Sequence, residues 1–293
     1  MKLLLYTILL LLIVIKCFEG PLDYSNQQQW PGVCPSGKYQ SPIDIPEKAN
    51  CDLSNEIIKI VSVNYTPISE KTLEFAHNYT FKVDSLTHGN ITIILNRTEY
   101  VYELNNLHFH LNSEHTINGK SYSMEMHMVH TLKKEDEIKD PLFANRYLVI
   151  GVIFEPDLNV KDNYFISQLH FGNQSFIHNL NANSLILENK NFYYYHGGLT
   201  TPGCDESVNW IVMEDIYKMS YRQFEEFKKY ISIEFPNGNN RNVQPLNGRT
   251  VYYIQRKIYI SSALVSTLLI IEKLCVVTGF VLFFKNFKVL FFH

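Results

Sequence analysis

Five of the eleven histidines fall between His108 and His130, namely His108, His110, His115, His127 and His130, where an even scatter would place about one. The two segments that carry most of them alternate with period two. In Leu107-His108-Phe109-His110-Leu111 the histidines share one face of an extended chain and the apolar residues take the other. In Met124-Glu125-Met126-His127-Met128-Val129, the residues Glu125, His127 and Val129 share a face opposite three methionines. Both segments are thereby committed to β-strands with one apolar and one chemically active face.

Similar alternation marks Phe81–Val83, Ile91–Leu95, Tyr147–Phe154 and Ser207–Met213, and the methionine-rich strand is read as Ser123–Val129. Turn residues separate the runs, at His88-Gly89-Asn90 and at Asn118-Gly119-Lys120. Helical periodicity is confined to Ser220–Ile231, where Phe224, Phe227 and Ile231 recur at three and four. The charged stretch Lys133–Asp140, ending before Pro141, reads as a solvated loop. No repeat or Gly/Ser/Pro-rich linker divides residues 21–257, so the reading is one mainly β domain with few helices (α+β).

Antiparallel pairing of the two histidine strands through Ile117–Lys120 brings His127 toward His108 and His110 on one surface. Three imidazoles converging from a rigid sheet suit zinc, with a fourth position left for water. His115 and His130 fail the parity test and read as hydrogen-bonded structural histidines. Glu125, on the face of His127, can accept that ring's other N–H, and Asn106 can do the same for His108. Glu114 and the run Leu199-Thr200-Thr201-Pro202 are polar candidates to which spacing assigns no role.

The near balance of 26 Lys+Arg against 29 Asp+Glu excludes a nucleic-acid binder, whose affinity rests on clustered basic charge. The apolar residues are concentrated at the ends. Met1-Lys2, the run Leu3–Ile15 and Lys16-Cys17-Phe18-Glu19-Gly20 have the layout of a signal peptide over residues 1–20, a retained signal anchor being the alternative. Five sequons agree with a secretory route, at Asn64, Asn78, Asn90, Asn96 and Asn173. The five cysteines are Cys17, Cys34, Cys51, Cys204 and Cys275; spacing leaves their pairing open. The tail 258–293 holds the apolar runs Ile258–Ile271 and Leu274–Phe284, interrupted by Glu272-Lys273 and followed by Lys285 and Lys288. It reads as membrane attachment, by a transmembrane helix or a lipid-anchor signal, with a soluble amphipathic helix as the third option. Oligomeric state is not legible.

Together, Gln40-Ser41-Pro42-Ile43-Asp44-Ile45, Leu107-His108-Phe109-His110, Ser113-Glu114-His115-Thr116-Ile117-Asn118-Gly119, Met124-Glu125-Met126-His127-Met128-Val129-His130 and Gly198-Leu199-Thr200-Thr201-Pro202 resemble the α-class carbonic anhydrases. Arg241-Asn242-Val243-Gln244-Pro245-Leu246-Asn247-Gly248-Arg249 resembles the end of that domain, and the likeness runs from about Leu22 to Ile254. It implies a large, mostly antiparallel twisted central sheet, and zinc held by His108, His110 and His127 for the reversible hydration of carbon dioxide to bicarbonate and a proton. It also implies that Thr200 accepts a hydrogen bond from zinc-bound hydroxide and donates to Glu114. Val129, Val149, Leu199, Thr201 and Trp210 would line the substrate pocket, Tyr24 would join the water network, and Cys34 would pair with Cys204, leaving Cys51 as the odd thiol.

Two departures from the family pattern bear on function. Leu111-Asn112 runs straight into Ser113-Glu114 as in short-loop members, which predicts a more open cleft edge. The family's proton-shuttle histidine is replaced by Tyr79, whose ordinary pKa near 10 suits it poorly to relay near neutrality. His77, two residues earlier, is the alternative relay, and the Asn78 sequon lies beside both. The rival to an active enzyme is a non-catalytic carbonic-anhydrase-like binding or adhesion module. Such relatives characteristically lose zinc ligands, and this chain retains all three.

Overall fold

The alternating segments fold as strands, most of them longer than their periodicity marks. The computed structural model describes residues 22–255, apart from 48, 52–56, 70, 77–79, 84–87, 140–144, 172–175, 178 and 187–189. The ends 1–20 and 258–293, with Cys17 and Cys275, lie outside the described residues, as do His77, Asn78, Tyr79 and Asn173. Eleven strands form one sheet: β1 (Asn50–Cys51), β2 (Ile58–Tyr65), β3 (Glu74–Ala76), β4 (Thr80–Val83), β5 (Gly89–Leu95), β6 (Thr98–Leu111), β7 (Met124–Leu132), β8 (Tyr147–Asp157), β9 (Phe192–Gly197), β10 (Val208–Ser220) and β11 (Tyr252–Ile254). The order across the sheet is β1-β11-β9-β10-β8-β7-β6-β4-β3, while β2 pairs with β5 and β5 with the first half of β6. Neighbours run antiparallel except β8 with β10 and β11 with β1. The mainly β fold on a mostly antiparallel sheet is as expected.

Two apolar clusters use the two faces. Met124, Met126 and Met128 of β7 pack with Leu107, Phe109 and Leu111 of β6 in the larger core. That core also takes Tyr100, Tyr102 and Leu104, which have the opposite parity to Leu107. A bulge reconciles them: Val129 pairs with Asn106 and His130 with Leu104, so Asn105 is skipped. The extra residue shifts the side-chain alternation by one, and His108 and His110 stay on the face away from the core. The smaller cluster, with Val149, Trp210, Val208 and Val212, lies on that second face.

The helical periodicity near the C-terminus corresponds to a helix, α2 (Tyr221–Glu234), which starts one residue later and runs three further than read. Ser220 caps it, accepting from Gln223 N while the Gln223 side chain accepts from Ser220 N. Phe227 and Ile231 are buried, and Phe227 packs among Phe81, Phe109 and Phe171. A one-turn helix, α1 (Tyr164–Ser167), escaped the sequence because a single turn carries no periodicity. The Asn118-Gly119 turn is present, both residues having positive φ, with Ile117 bridged to Lys120.

The described part of Lys133–Asp140 is the mostly exposed loop expected, with one exception. Asp136 is buried there, accepting from Val101 N at 2.6 Å and pairing with Lys139 at 2.7 Å. Its carboxylate fastens the loop to β6, a role that a run of charges does not announce. Among the described residues no helix is long and apolar enough to cross a membrane.

Candidate metal centre

Pairing of β6 with β7 sets His127 opposite His108 and Glu125 opposite His110. The parity of the two strands thus becomes one cluster. His110 Nε2 lies 3.2 Å from His127 Nδ1, and His127 Nδ1 lies 3.3 Å from His108 Nε2.

Each ring's remaining nitrogen faces a group that can only accept. His108 Nδ1 donates to Asn106 Oδ1 at 2.9 Å, His110 Nδ1 to the Asn239 carbonyl at 2.9 Å, and His127 Nε2 to Glu125 Oε1 at 2.9 Å. The outer nitrogens therefore carry the ring protons, and the three inner nitrogens present bare lone pairs to one another. Burial, with the neighbouring rings and Lys82, holds His108 well below its usual pKa, and burial lowers His110. Lone pairs facing across 3.2–3.3 Å repel unless a cation lies among them. Tetrahedral zinc with Zn–N bonds of about 2.0–2.1 Å separates its nitrogens by about 3.3–3.4 Å. The residues fit that ion.

Glu125 organises a second row behind the first. Its Oε1 also accepts from His115 Nδ1 at 2.8 Å, and its Oε2 from His115 N at 2.9 Å. Burial alone would raise the pKa of this carboxyl; His115 and His127 outweigh it and hold it well below the usual range. His115 Nε2 meets Tyr195 Oη at 2.7 Å, and Tyr195 bonds Ser41 Oγ at 2.9 Å. His115, Glu125 and His127 also lie close enough to hold a metal, but their facing atoms are already joined by N–H···O bonds. His115 is therefore a hydrogen-bonded structural residue. So is His130, which meets Tyr65 Oη at 2.7 Å and Leu148 O at 3.1 Å.

Glu114 is fully buried beside the ring nitrogens, Oε1 3.6 Å from His110 Nδ1 and Oε2 3.8 Å from His127 Nδ1. Oε1 accepts from Arg241 N at 2.7 Å, whereas Oε2 has no hydrogen-bond partner. The Thr200 hydroxyl, expected to donate there, makes no such bond in this structure. Thr200 itself is buried, in a loop held from several sides. Gly198 N bonds Ser41 Oγ, Leu199 N bonds Asp205 O, and Arg241 bonds Ser41 O and Gln40 Oε1. The expected Cys34–Cys204 disulfide is present, Cα atoms 5.0 Å apart, and ties the loop to residues 31–34. Beside it Gly32 meets Gly203 so closely that a Cβ on Gly32 would lie 2.6 Å from Gly203 O.

Val149 and Trp210 are buried against half-buried Val129 and Leu199 in the smaller cluster, with half-buried Thr201 in the adjoining loop. The Trp210 ring lies 4.9 Å from that of His127, fixed by its Nε1 bond to Gly198 O at 3.0 Å. An apolar wall thus abuts the nitrogen cluster. Tyr24 packs edge-on against Trp30 and Phe235, 5.5 Å from each. Asn64 and Asn96 are exposed and Asn90 half-exposed.

Sequence reasoning missed Asn239, Arg241, Tyr195 and Gly151. Asn239 and Arg241 act on the site through a backbone carbonyl and a backbone N–H, groups that do not distinguish one ordinary residue type from another. A Cβ on Gly151 would lie 2.7 Å from Glu125 Oε1, and nothing local predicts that approach.

Residues 25–255 match the family model for eukaryotic-type carbonic anhydrases. The chain is 30% identical over 236 residues to a carbonic anhydrase of Neisseria gonorrhoeae, covering 80% of this chain and 84% of the other. Among solved structures it is similar to a hyperthermostable carbonic anhydrase from an active hydrothermal vent chimney, with 35% identity, a TM-score of 0.57, and coverage of 76% of this chain and 90% of that one. It is also similar to dioscorin complexed with ascorbate, with 26% identity, a TM-score of 0.60, and coverage of 81% and 95%. With its histidine cluster on the central sheet, the chain belongs to the eukaryotic-type carbonic anhydrase family.

Proposed function

We propose that the protein binds zinc through His108 Nε2, His110 Nε2 and His127 Nδ1 and catalyses the reversible hydration of carbon dioxide to bicarbonate and a proton. The observation that carries this reading is the convergence of three bare ring nitrogens beside a buried carboxylate oxygen that lacks a partner. Zinc held there would lower the pKa of a bound water, a property for which carbonic anhydrases are themselves the standard example.

The chain's own residues supply orientation and exclusion. Asn106, the Asn239 carbonyl and Glu125 keep the ring protons on the outer nitrogens, so that the inner ones can ligate. With zinc and water held there, the Thr200 hydroxyl would have to turn to Glu114 Oε2, which has no partner in this structure, leaving its own oxygen to accept from the bound water and aim it. Val129, Val149, Leu199 and Trp210 hold a small uncharged substrate and offer no polar group to compete with the reaction. Tyr79 relays protons poorly, so proton export falls to buffer.

The test is carbon dioxide hydration by the purified zinc-loaded protein. A rate well above that of a His127→Ala variant is expected; equality with it would leave the non-catalytic binding or adhesion module. The same reading routes the chain through the secretory pathway by residues 1–20 and tethers it to a membrane by 258–293. Release by a phosphatidylinositol-specific phospholipase identifies a lipid anchor, and retention a helix.

A further inference from the structure

Three of the sequons fall on described backbone, in the part of the sheet made by β2, β5 and β6: Asn64 on β2, Asn90 beside it at the start of β5, and Asn96 at the far end of β5, in the turn to β6. Asn64 and Asn90 are direct cross-strand partners. Such partners point to the same side, with Cβ atoms about 4.5–5.5 Å apart. That side is the outer one, since the following residues, Tyr65 and Ile91, are buried. Asn96 is six residues along β5 from Asn90, about 20 Å at 3.4 Å per residue. It is exposed at the hairpin apex, where Asn96 and Arg97 have φ of 47° and 67°.

We propose that this part of the sheet carries N-linked glycans at Asn64 and Asn96, and that Asn64 and Asn90 exclude one another, so that no folded molecule carries both. The proposal rests on the secretory routing proposed above. The co-reactant is a lipid-linked oligosaccharide diphosphate. The Asn Nδ2 attacks its anomeric carbon, the N–C bond forms as the C–O bond to diphosphate breaks, the amide loses one proton, and the lipid diphosphate leaves.

Two sugar cores would have to rise side by side from points one strand spacing apart. Transfer precedes folding, so a doubly modified chain is one in which β2 cannot close on β5. Of the pair, Asn64 has the room. Among the described residues β2 pairs with β5 alone, so a glycan on Asn64 can lean out over the sheet edge. Asn90 is flanked on both sides, by Asn64 of β2 and Glu103 of β6. Glycosylated Asn64 keeps one N–H on Nδ2, enough to retain its 3.1 Å bond to Ser62 Oγ. Asn96 is too distant to compete with either.

The experiment expresses the full chain in a eukaryotic secretory host behind a validated leader, so that failure of the chain's own residues 1–20 to direct export does not enter. Site occupancy is read by endoglycosidase release in heavy-oxygen water and peptide mass spectrometry. Asn64 and Asn96 are expected in mainly modified form and Asn90 mainly bare. In Asn64→Gln, and in Thr66→Ala, which removes the sequon but keeps Asn64, occupancy of Asn90 should rise several-fold while that of Asn96 holds. Majority occupancy of both Asn64 and Asn90 in the wild type would overturn the proposal. So would a bare Asn64 in the exported protein, or an Asn90 that stays bare in both variants.

Discussion

Gly151→Ala probes how His127 is aimed, from a position that has no side chain of its own. Gly151 lies on β8 directly across from His127, and an added Cβ would stand 2.7 Å from Glu125 Oε1 where ordinary contact begins near 3.4 Å. Either the carboxylate or the strand must yield by the difference, about 0.7 Å. Glu125 cannot swing aside, because it is fully buried and accepts from His115 N, His115 Nδ1 and His127 Nε2. Retreat of Oε1 by that amount carries its 2.8 and 2.9 Å bonds past the ~3.2 Å limit of a good N–H···O bond. Charge-assisted bonds contribute about 1.5–3 kcal/mol each. Their partial loss, with about 1–3 kcal/mol of overpacking, outweighs the ~0.5–1 kcal/mol that alanine gains over glycine in a strand. The expected result is an apoprotein less stable by about 2–4 kcal/mol. Zinc affinity should fall about tenfold, the lower end for disturbing a ligand's outer partner. Denaturant unfolding of the apoprotein and zinc competition with a chelator measure the two effects. Unchanged zinc affinity together with an unchanged or higher unfolding midpoint would refute the idea that Glu125 Oε1 aims His127.

Other substitutions separate the remaining roles. Glu114→Gln should lower kcat/KM for hydration by about 100-fold, the low end for a proton-handling group, while chelator competition shows zinc affinity nearly unchanged. His130 is held at about 4, below its usual 6.5, first by burial. Below pH 6.5 the unfolded chain binds a proton that the folded one refuses, so stability is complete above pH 6.5 and falls as pH drops toward 4. The His130 share, about 3 kcal/mol, is read as the difference between wild type and His130→Gln in urea unfolding at pH 7 and pH 4. Cys34→Ser opens a disulfide between residues 170 apart and should cost about 3–5 kcal/mol, measured by thermal unfolding against the disulfide-bonded wild type, with reduced wild type matching the variant.

Strand character was legible wherever polar and apolar residues alternate, as at Leu107–Leu111 and Met124–Val129. It was illegible in β9, where Phe192-Tyr193-Tyr194-Tyr195 places aromatics on both faces. It was equally hidden in β2, whose register slips between Ile60 and Ser62 and breaks the period. The bulge at Asn105 was invisible for the same reason, since a skipped residue shows only against its partner strand. Asp136 looked like part of a solvated charge run because its partner, the Val101 N–H, is a backbone group on another element.

By itself the sequence determined which histidines converge. Side-chain parity along a strand is a local property, and His108, His110 and His127 declare it within two short segments. Only the tertiary structure decided which nitrogen of each ring faces inward. That choice is made by the acceptor each outer nitrogen finds: an amide two residues away for His108, a carboxylate two residues away for His127, and for His110 the Asn239 carbonyl, 129 residues distant. The first two partners lie within reach of sequence reasoning because β-strand parity puts them on the ligand's own face. The third is a backbone atom brought in by the fold, and backbone atoms carry no residue identity to read.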